Sequence, residues 1–194
     1  NAGIMALPER ALVNGVEKQL ATNHLGHFLL VNLLRPQLES ARAARVVVVS
    51  SAAHFQAPSG GIDFDDLAAE RSYGAWRAYG QSKLANVLFA KALARRIGPK
   101  HTANALHPGV ISTNLGRNMN PLLGAVAGFV MRPFSKTIPQ GAATSCYVAA
   151  RPELEGVTGK YFSDCAVSEP SRRANDEALS ERLWDVSSQL TWLR

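Results

Sequence analysis

Arg45-Val46-Val47-Val48-Val49-Ser50-Ser51 is the stretch on which the fold turns. Four consecutive β-branched residues favour extended backbone, and they show no polar alternation. A strand with one wet face alternates, so an unbroken apolar run predicts a strand covered on both faces, as in parallel sheets. Amphipathic segments flank it. Residues 14–39 read as one long helix, with Val16, Leu20, Phe28, Val31 and Leu34 on one side. Residues 52–72 carry Pro58, Ser59, Gly60 and Gly61 and read as loop, and residues 73–97 read as a helix stopped by Gly98-Pro99. A short strand over 102–106 precedes Pro108-Gly109. Residues 112–139 read as irregular with short helices, followed by a helix over 140–150. A last strand over 160–163 follows the turn at Thr158-Gly159, and an amphipathic helix covers 176–190. Strands alternating with helical segments make this an α/β protein with a parallel sheet.

Composition narrows the functional classes. The chain has 194 residues, 46% of them apolar and 19% charged, which suits one packed domain rather than a disordered or fibrous chain. No apolar run reaches the roughly 20 residues that a bilayer-spanning helix needs. The net charge of +6 is spread along the chain, with no cluster denser than Arg95-Arg96 and Arg172-Arg173. A nucleic-acid surface would want a basic stripe interleaved with aromatics, so no nucleic-acid partner is expected. Cys146 and Cys165 are too few for a disulfide framework or a zinc site. Of His24, His27, His54 and His107, the first two share a helix face, but no cysteine or carboxylate is spaced to complete a metal site; packing and local hydrogen bonding are expected of them, and no metal. With no secretory signal at its start, the expected setting is reducing and cytoplasmic.

The chemistry concentrates in Tyr79-Gly80-Gln81-Ser82-Lys83. Tyr and Lys at i and i+4 lie on one helix face. A nearby ammonium favours the phenolate, which would suit the phenol for proton exchange with an alcohol or carbonyl oxygen. By composition alone, roughly 0.12 such pairs would arise by chance, so the pair carries little without its neighbours.

Those neighbours are Asn1-Ala2-Gly3, then Asn23 within Asn23-His24-Leu25-Gly26-His27-Phe28, Val48-Val49-Ser50-Ser51, and His107-Pro108-Gly109-Val110. In this order the five motifs resemble the short-chain dehydrogenase/reductase family across essentially the whole chain. Ser82-Lys83-Leu84-Ala85-Asn86 resembles the branch of retinol dehydrogenases and WW-domain oxidoreductases, as does the 28-residue gap between Ser51 and Tyr79. The resemblance implies the C-terminal part of a Rossmann-like, doubly wound parallel sheet with helices on both faces. It implies Tyr79 as acid/base and Lys83 as the cation that lowers its pKa and holds the nicotinamide ribose. Ser51 would polarise the substrate carbonyl, and Asn23 would kink its helix and hold a relay water. Asn1, Ala2 and Gly3 would close a strand beside the cofactor, the backbone of Pro108, Gly109 and Val110 would meet the nicotinamide amide, and Thr113 would bond the carboxamide or pyrophosphate.

The implied reaction is NAD(P)-dependent interconversion of an alcohol and a carbonyl. Leu115, Met119, Leu122, Leu123, Val126, Phe129, Val130 and Met131 would form an apolar lid, which points to a small apolar aldehyde, ketone or retinol-like substrate. The resemblance favours NADP over NAD, and a homo-oligomer paired through the Tyr79 helix is compatible with it. The family's glycine-rich phosphate loop would lie upstream of Asn1, in about half a dinucleotide-binding fold. Residues 1–194 are therefore expected to form a single partial domain that binds cofactor poorly alone and exposes one face of its sheet. Two other readings fit less of the pattern. A light-dependent protochlorophyllide reductase also pairs Tyr with Lys, but Cys146 and Cys165 do not match the cysteines expected there. A non-catalytic interaction module would have no need of Tyr79, Lys83, Ser51 and Asn23 together.

Overall fold

The computed structural model describes residues 2–111 and 135–192. Thr113 and the apolar stretch from Leu115 to Met131 fall outside the described residues, as does Asn1. Among the described residues the main sheet has four strands in the order β3-β4-β5-β6. These are β3 (Arg45–Val49), β4 (Thr102–His107), β5 (Tyr161–Ser163) and β6 (Ala166–Val167). β3, β4 and β5 are mutually parallel, and β6 returns antiparallel to β5. Asp164 and Cys165 both take positive φ in that return, the backbone a two-residue hairpin with right-twisted strands demands.

The valine run divides its side chains between two faces, as its pattern foretells. Val46 and Val48 join Ala103, Ala105 and Tyr161 in a core beneath helix α4 (Ala75–Ala94). Val47 and Val49 turn the other way, towards Leu106, Phe162 and Val148 of helix α5 (Ile138–Ala150). Helices therefore cover both faces. The expected open face is instead an open edge, because β3 pairs only with β4 among the described residues. That is why only Val48 of this strand is fully buried.

The long helix expected over 14–39 begins later and is broken. Asn14 and Gly15 both adopt positive φ and form a tight turn between β1 (Leu12–Val13) and β2 (Val16–Glu17). Asn-Gly supplies such a turn at little steric cost, and it overrides the helical spacing of Val16. The helix starts as α1 (Lys18–Leu20), where the Glu17 carboxylate accepts from Gln19 N and Leu20 N. It widens into a π-helical turn over Ala21–Leu25 and continues as α2 (Gly26–Leu33), with α3 (Arg35–Ser40) following.

α4 is buried without a break from Ala78 to Ala90, and Leu84, Ala85, Val87, Leu88, Ala90 and Ala92 are at 0% exposure. A helix without a wet stripe must be enclosed by other elements. One of these is helix α6 (Glu177–Leu190), capped by Asp176, whose Leu183 and Trp184 join the α4 core. Trp184 closes an aromatic cluster with Phe28 and Phe89, and the Arg96 guanidinium lies 4.3 Å from its ring centroid. This enclosure holds α4 rigidly against the ends of β3 and β4, where the candidate site lies.

Candidate active site

Ser51 follows β3 and caps a 3-10 turn over Ala52–Gln56, its Oγ accepting from Ala53 N at 3.2 Å. The turn brings it towards Tyr79 on α4, and the Ser51 side chain acts against the rise that burial causes in the Tyr79 pKa. Gly80 makes the approach possible. A Cβ there would stand 2.6 Å from the Ala53 carbonyl oxygen and 2.9 Å from Ala57 N, so loop backbone rests directly on the helix beside Tyr79. Tyr79 is 3% exposed, and burial pushes its pKa above the ordinary phenol value. Trp76, one turn earlier and partly exposed, meets its ring edge-on at 6.1 Å.

Lys83 lies on the same helix face, its Nζ 5.7 Å from the Tyr79 ring centroid. Burial lowers its pKa to about 8. Where the i, i+4 spacing suggests a lowered Tyr79 pKa, desolvation of the buried phenol acts in the opposite direction. The Lys83 ammonium donates to the Val49 carbonyl at 3.3 Å, and Asn86 Nδ2 shares that carbonyl at 3.1 Å. An ammonium has three donors, so this buried cation retains capacity for further acceptors.

Asn23 sits in the π-helical turn, at 0% exposure. Its side chain accepts from Ile4 N and donates to Ile4 O, both at 2.9 Å, which fixes the chain directly after Ala2 and Gly3. Nδ2 also reaches Ser82 Oγ at 3.0 Å, and Ser82 Oγ donates to the Tyr79 carbonyl at 2.7 Å. The Asn23 carbonyl is the partner of His27 Nδ1 at 2.9 Å. Asn23 is thus tied to the Tyr79 backbone through Ser82.

Pro108, Gly109 and Val110 leave the carboxyl end of β4. Gly109 has φ +92, and a Cβ there would come within 2.6–3.0 Å of the Lys136 side chain. Val110 O accepts from Lys136 N at 2.8 Å, and Lys136 also forms an ion pair with Asp164. Tyr79, Lys83 and the Ser51 turn therefore meet at the end of β3, Asn23 reaches the Tyr79 backbone through Ser82 and holds Ile4, and Pro108 to Val110 extend from the neighbouring strand. Open α/β sheets bind ligands beyond the carboxyl ends of their strands.

Two residues inside the motifs have roles that the motif reading does not assign. Ser50 Oγ donates to the Lys83 carbonyl at 2.7 Å, fastening β3 to α4. His107 Nδ1 accepts from Ala52 N at 3.2 Å and from Gly109 N at 3.3 Å, joining the loops after β3 and β4. A lone serine or histidine carries no spacing signal for such contacts, whereas Gly80 inside a helix does hint at close backbone approach. Asp63 and Asp66 pair with Arg71 and Arg77, and Asp66 caps Glu70 N and Arg71 N. Their charges organise their own loop. Among the described residues no group of histidines, cysteines and carboxylates could hold a metal, and no helix is long and apolar enough to cross a membrane.

The sequence matches no family model. It is 47% identical over 201 residues to the chloroplastic short-chain dehydrogenase TIC 32 B of Brassica napus, covering 98% of this chain and 62% of that protein. Over 196 residues it is 47% identical to human retinol dehydrogenase 14, covering 100% of this chain and 57% of that protein. The chain thus spans less than two thirds of the length of these curated relatives. A crystal structure of an uncharacterised protein from Mycobacterium paratuberculosis superposes with a TM-score of 0.75 at 36% identity, over 99% of this chain and 65% of that one. Near-complete coverage at this identity, on a Rossmann-like sheet with the motif residues gathered at its strand ends, places the chain in the short-chain dehydrogenase/reductase family.

Proposed function

We propose that residues 1–194 form one partial domain, the catalytic portion of an oxidoreductase that interconverts an apolar alcohol and its aldehyde or ketone with NADP or NAD. The observation that carries this reading is the convergence of Tyr79, Lys83 and the Ser51 turn at the end of β3.

The residues present suit a nicotinamide nucleotide. Lys83 is a buried cation with one long hydrogen bond, and ribose hydroxyls would complete its donors. The backbone of Pro108, Gly109 and Val110, with Thr113 beyond it, would meet the carboxamide, and Asn1, Ala2 and Gly3 would border the ribose. No glycine-rich phosphate loop occurs in the sequence, so the adenosine half needs residues other than these. When bound, the nicotinamide supplies or accepts the hydride.

This chain's residues handle the oxygen and its proton. A phenol is protonated at neutral pH and burial favours that form further, so Tyr79 can donate to a carbonyl oxygen that gains negative charge. The Ser51 hydroxyl, already beside that phenol, would stabilise the developing alkoxide. The Lys83 ammonium nearby would favour the phenolate as the proton leaves, working against the burial that disfavours it. In the opposite direction Tyr79 takes the alcohol proton. Asn23 would serve the relay by fixing Ser82 and the Tyr79 backbone, with a water beyond it.

The substrate class follows from the apolar stretch between Leu115 and Met131, from the exposed Trp76 beside Tyr79, and from relatives named for retinol. The test is oxidation of NADPH and of NADH by the full-length protein with retinal, decanal and a polar aldehyde of similar reactivity. Faster turnover of the apolar aldehydes is expected, and no turnover with either nucleotide would overturn the reading.

A further inference from the structure

His54 lies outside every motif above, yet it is 1% exposed and both ring nitrogens have partners. Nδ1 is 2.7 Å from the Ser51 carbonyl oxygen, and Nε2 is 3.0 Å from Ser171 N. The partners decide the proton. A carbonyl only accepts, so Nδ1 must donate; a backbone N–H only donates, so Nε2 must accept. The ring is therefore neutral, with its proton on Nδ1. Burial holds its pKa below the ordinary imidazole value, the bond to the Ser51 carbonyl opposes this, and His107 acts with burial. The ring also packs on Tyr161 at 5.1 Å, so it has little room to turn.

His54 thus spans two distant parts of the chain. On one side is the turn that carries Ser51. On the other is Ser171, just before the 3-10 turn Arg172–Asn175 that leads into α6. A second bond, from Arg173 Nε to Ser59 O at 2.8 Å, joins the same two regions. From the opposite side His107 holds Ala52 N, the amide that follows Ser51.

We propose that His54 is a positioning residue for Ser51, fixing the backbone from which the Ser51 hydroxyl meets Tyr79. This deepens the proposed function and rests on Ser51 acting there. Phi and psi of Ser51 set where its short side chain can reach, so a donor anchored on its own carbonyl limits that reach directly. The rigid enclosure of α4 is of use to the reaction only if the loop opposite it is equally fixed.

Two amide replacements separate the two bonds. Asn places an amide near the Nδ1 position and can keep the link to Ser51. Gln places one near Nε2 and can keep the link to Ser171 while losing the link to Ser51. In the full-length protein, His54→Gln should lower kcat about tenfold with little change in KM, the scale of one lost hydrogen bond. His54→Asn should retain kcat within about threefold, and Ser51→Ala/His54→Gln should be no slower than Ser51→Ala. Independently of activity, nitrogen-15 NMR at pH 7 should find His54 protonated at Nδ1 and bare at Nε2. Equal losses in the two His54 variants, additive losses in the double variant, or the opposite tautomer would overturn the proposal. If Ser51→Ala itself leaves turnover unchanged, the reading of the site has failed and the His54 role falls with it.

Discussion

Asn23 grips the backbone of Ile4 in both directions, accepting from its N–H and donating to its carbonyl, each at 2.9 Å. A side-chain amide here does what a neighbouring strand would do. It pins the residues after Ala2-Gly3 to a helix that has opened into a π turn to present it. Asn23→Ala would leave the Ile4 groups and Ser82 without these partners. The expected loss is about 2–4 kcal/mol of stability, read by urea unfolding with CD. A loss below about 0.5 kcal/mol would mean that the grip is incidental.

Gly80 gives a sharper test of how the Ser51 loop meets the Tyr79 helix. Alanine is the better helix former by about 1 kcal/mol, so propensity alone predicts stabilisation. The atoms a Cβ would strike are loop backbone at Ala53, Gln56 and Ala57, which cannot simply rotate away. Gly80→Ala is therefore expected to destabilise by about 1–3 kcal/mol and to slow turnover. Thermal melting and steady-state kinetics check both.

His24 makes acid stability titratable. It is 1% exposed among Phe28 and Phe89, its Nε2 is 2.8 Å from Ser187 Oγ, and burial lowers its pKa from 6.5 to about 3. The unfolded chain takes up this proton near pH 6.5, whereas the folded chain resists until about 3. Stability should therefore fall as pH drops through that window and be unaffected by this group above it. The slope in His24→Gln should be smaller by up to about 1.4 kcal/mol per pH unit between roughly pH 6 and 4. Urea unfolding across that range reads the difference, and parallel slopes would contradict the assignment.

The enclosure of α4 predicts a large packing effect far from the chemistry. Leu88 is at 0% exposure in the core shared by α4, β3 and β4. Leu88→Ala should cost about 2–5 kcal/mol, measured by chemical denaturation.

The architecture was legible where one pattern dominated. The valine run announced a buried parallel strand, and Gly98-Pro99 stopped α4 close to where the sequence suggested. Asn14-Gly15 was misread because the spacing of Val16 and Leu20 fits a helix, while the turn depends on two positive φ values. For the site, Tyr79, Lys83 and Ser51 could be picked from spacing and resemblance, and the structure brings them together. The pKa of Tyr79 could not be read, because i, i+4 spacing reports a neighbour and says nothing of desolvation. His54 and His107 read as packing and hydrogen-bonding histidines, and their bonds agree, but their partners, like those of Ser50 and Ser82, are backbone groups that only tertiary placement brings near.

The measurement that bears most directly on the account is nicotinamide-dependent reduction of an apolar aldehyde by Tyr79→Phe in the full-length protein. Phenylalanine keeps the ring against Trp76 and removes only the hydroxyl. The account predicts a kcat/KM loss of at least about 100-fold, with the melting temperature nearly unchanged. Undiminished turnover by Tyr79→Phe would contradict it.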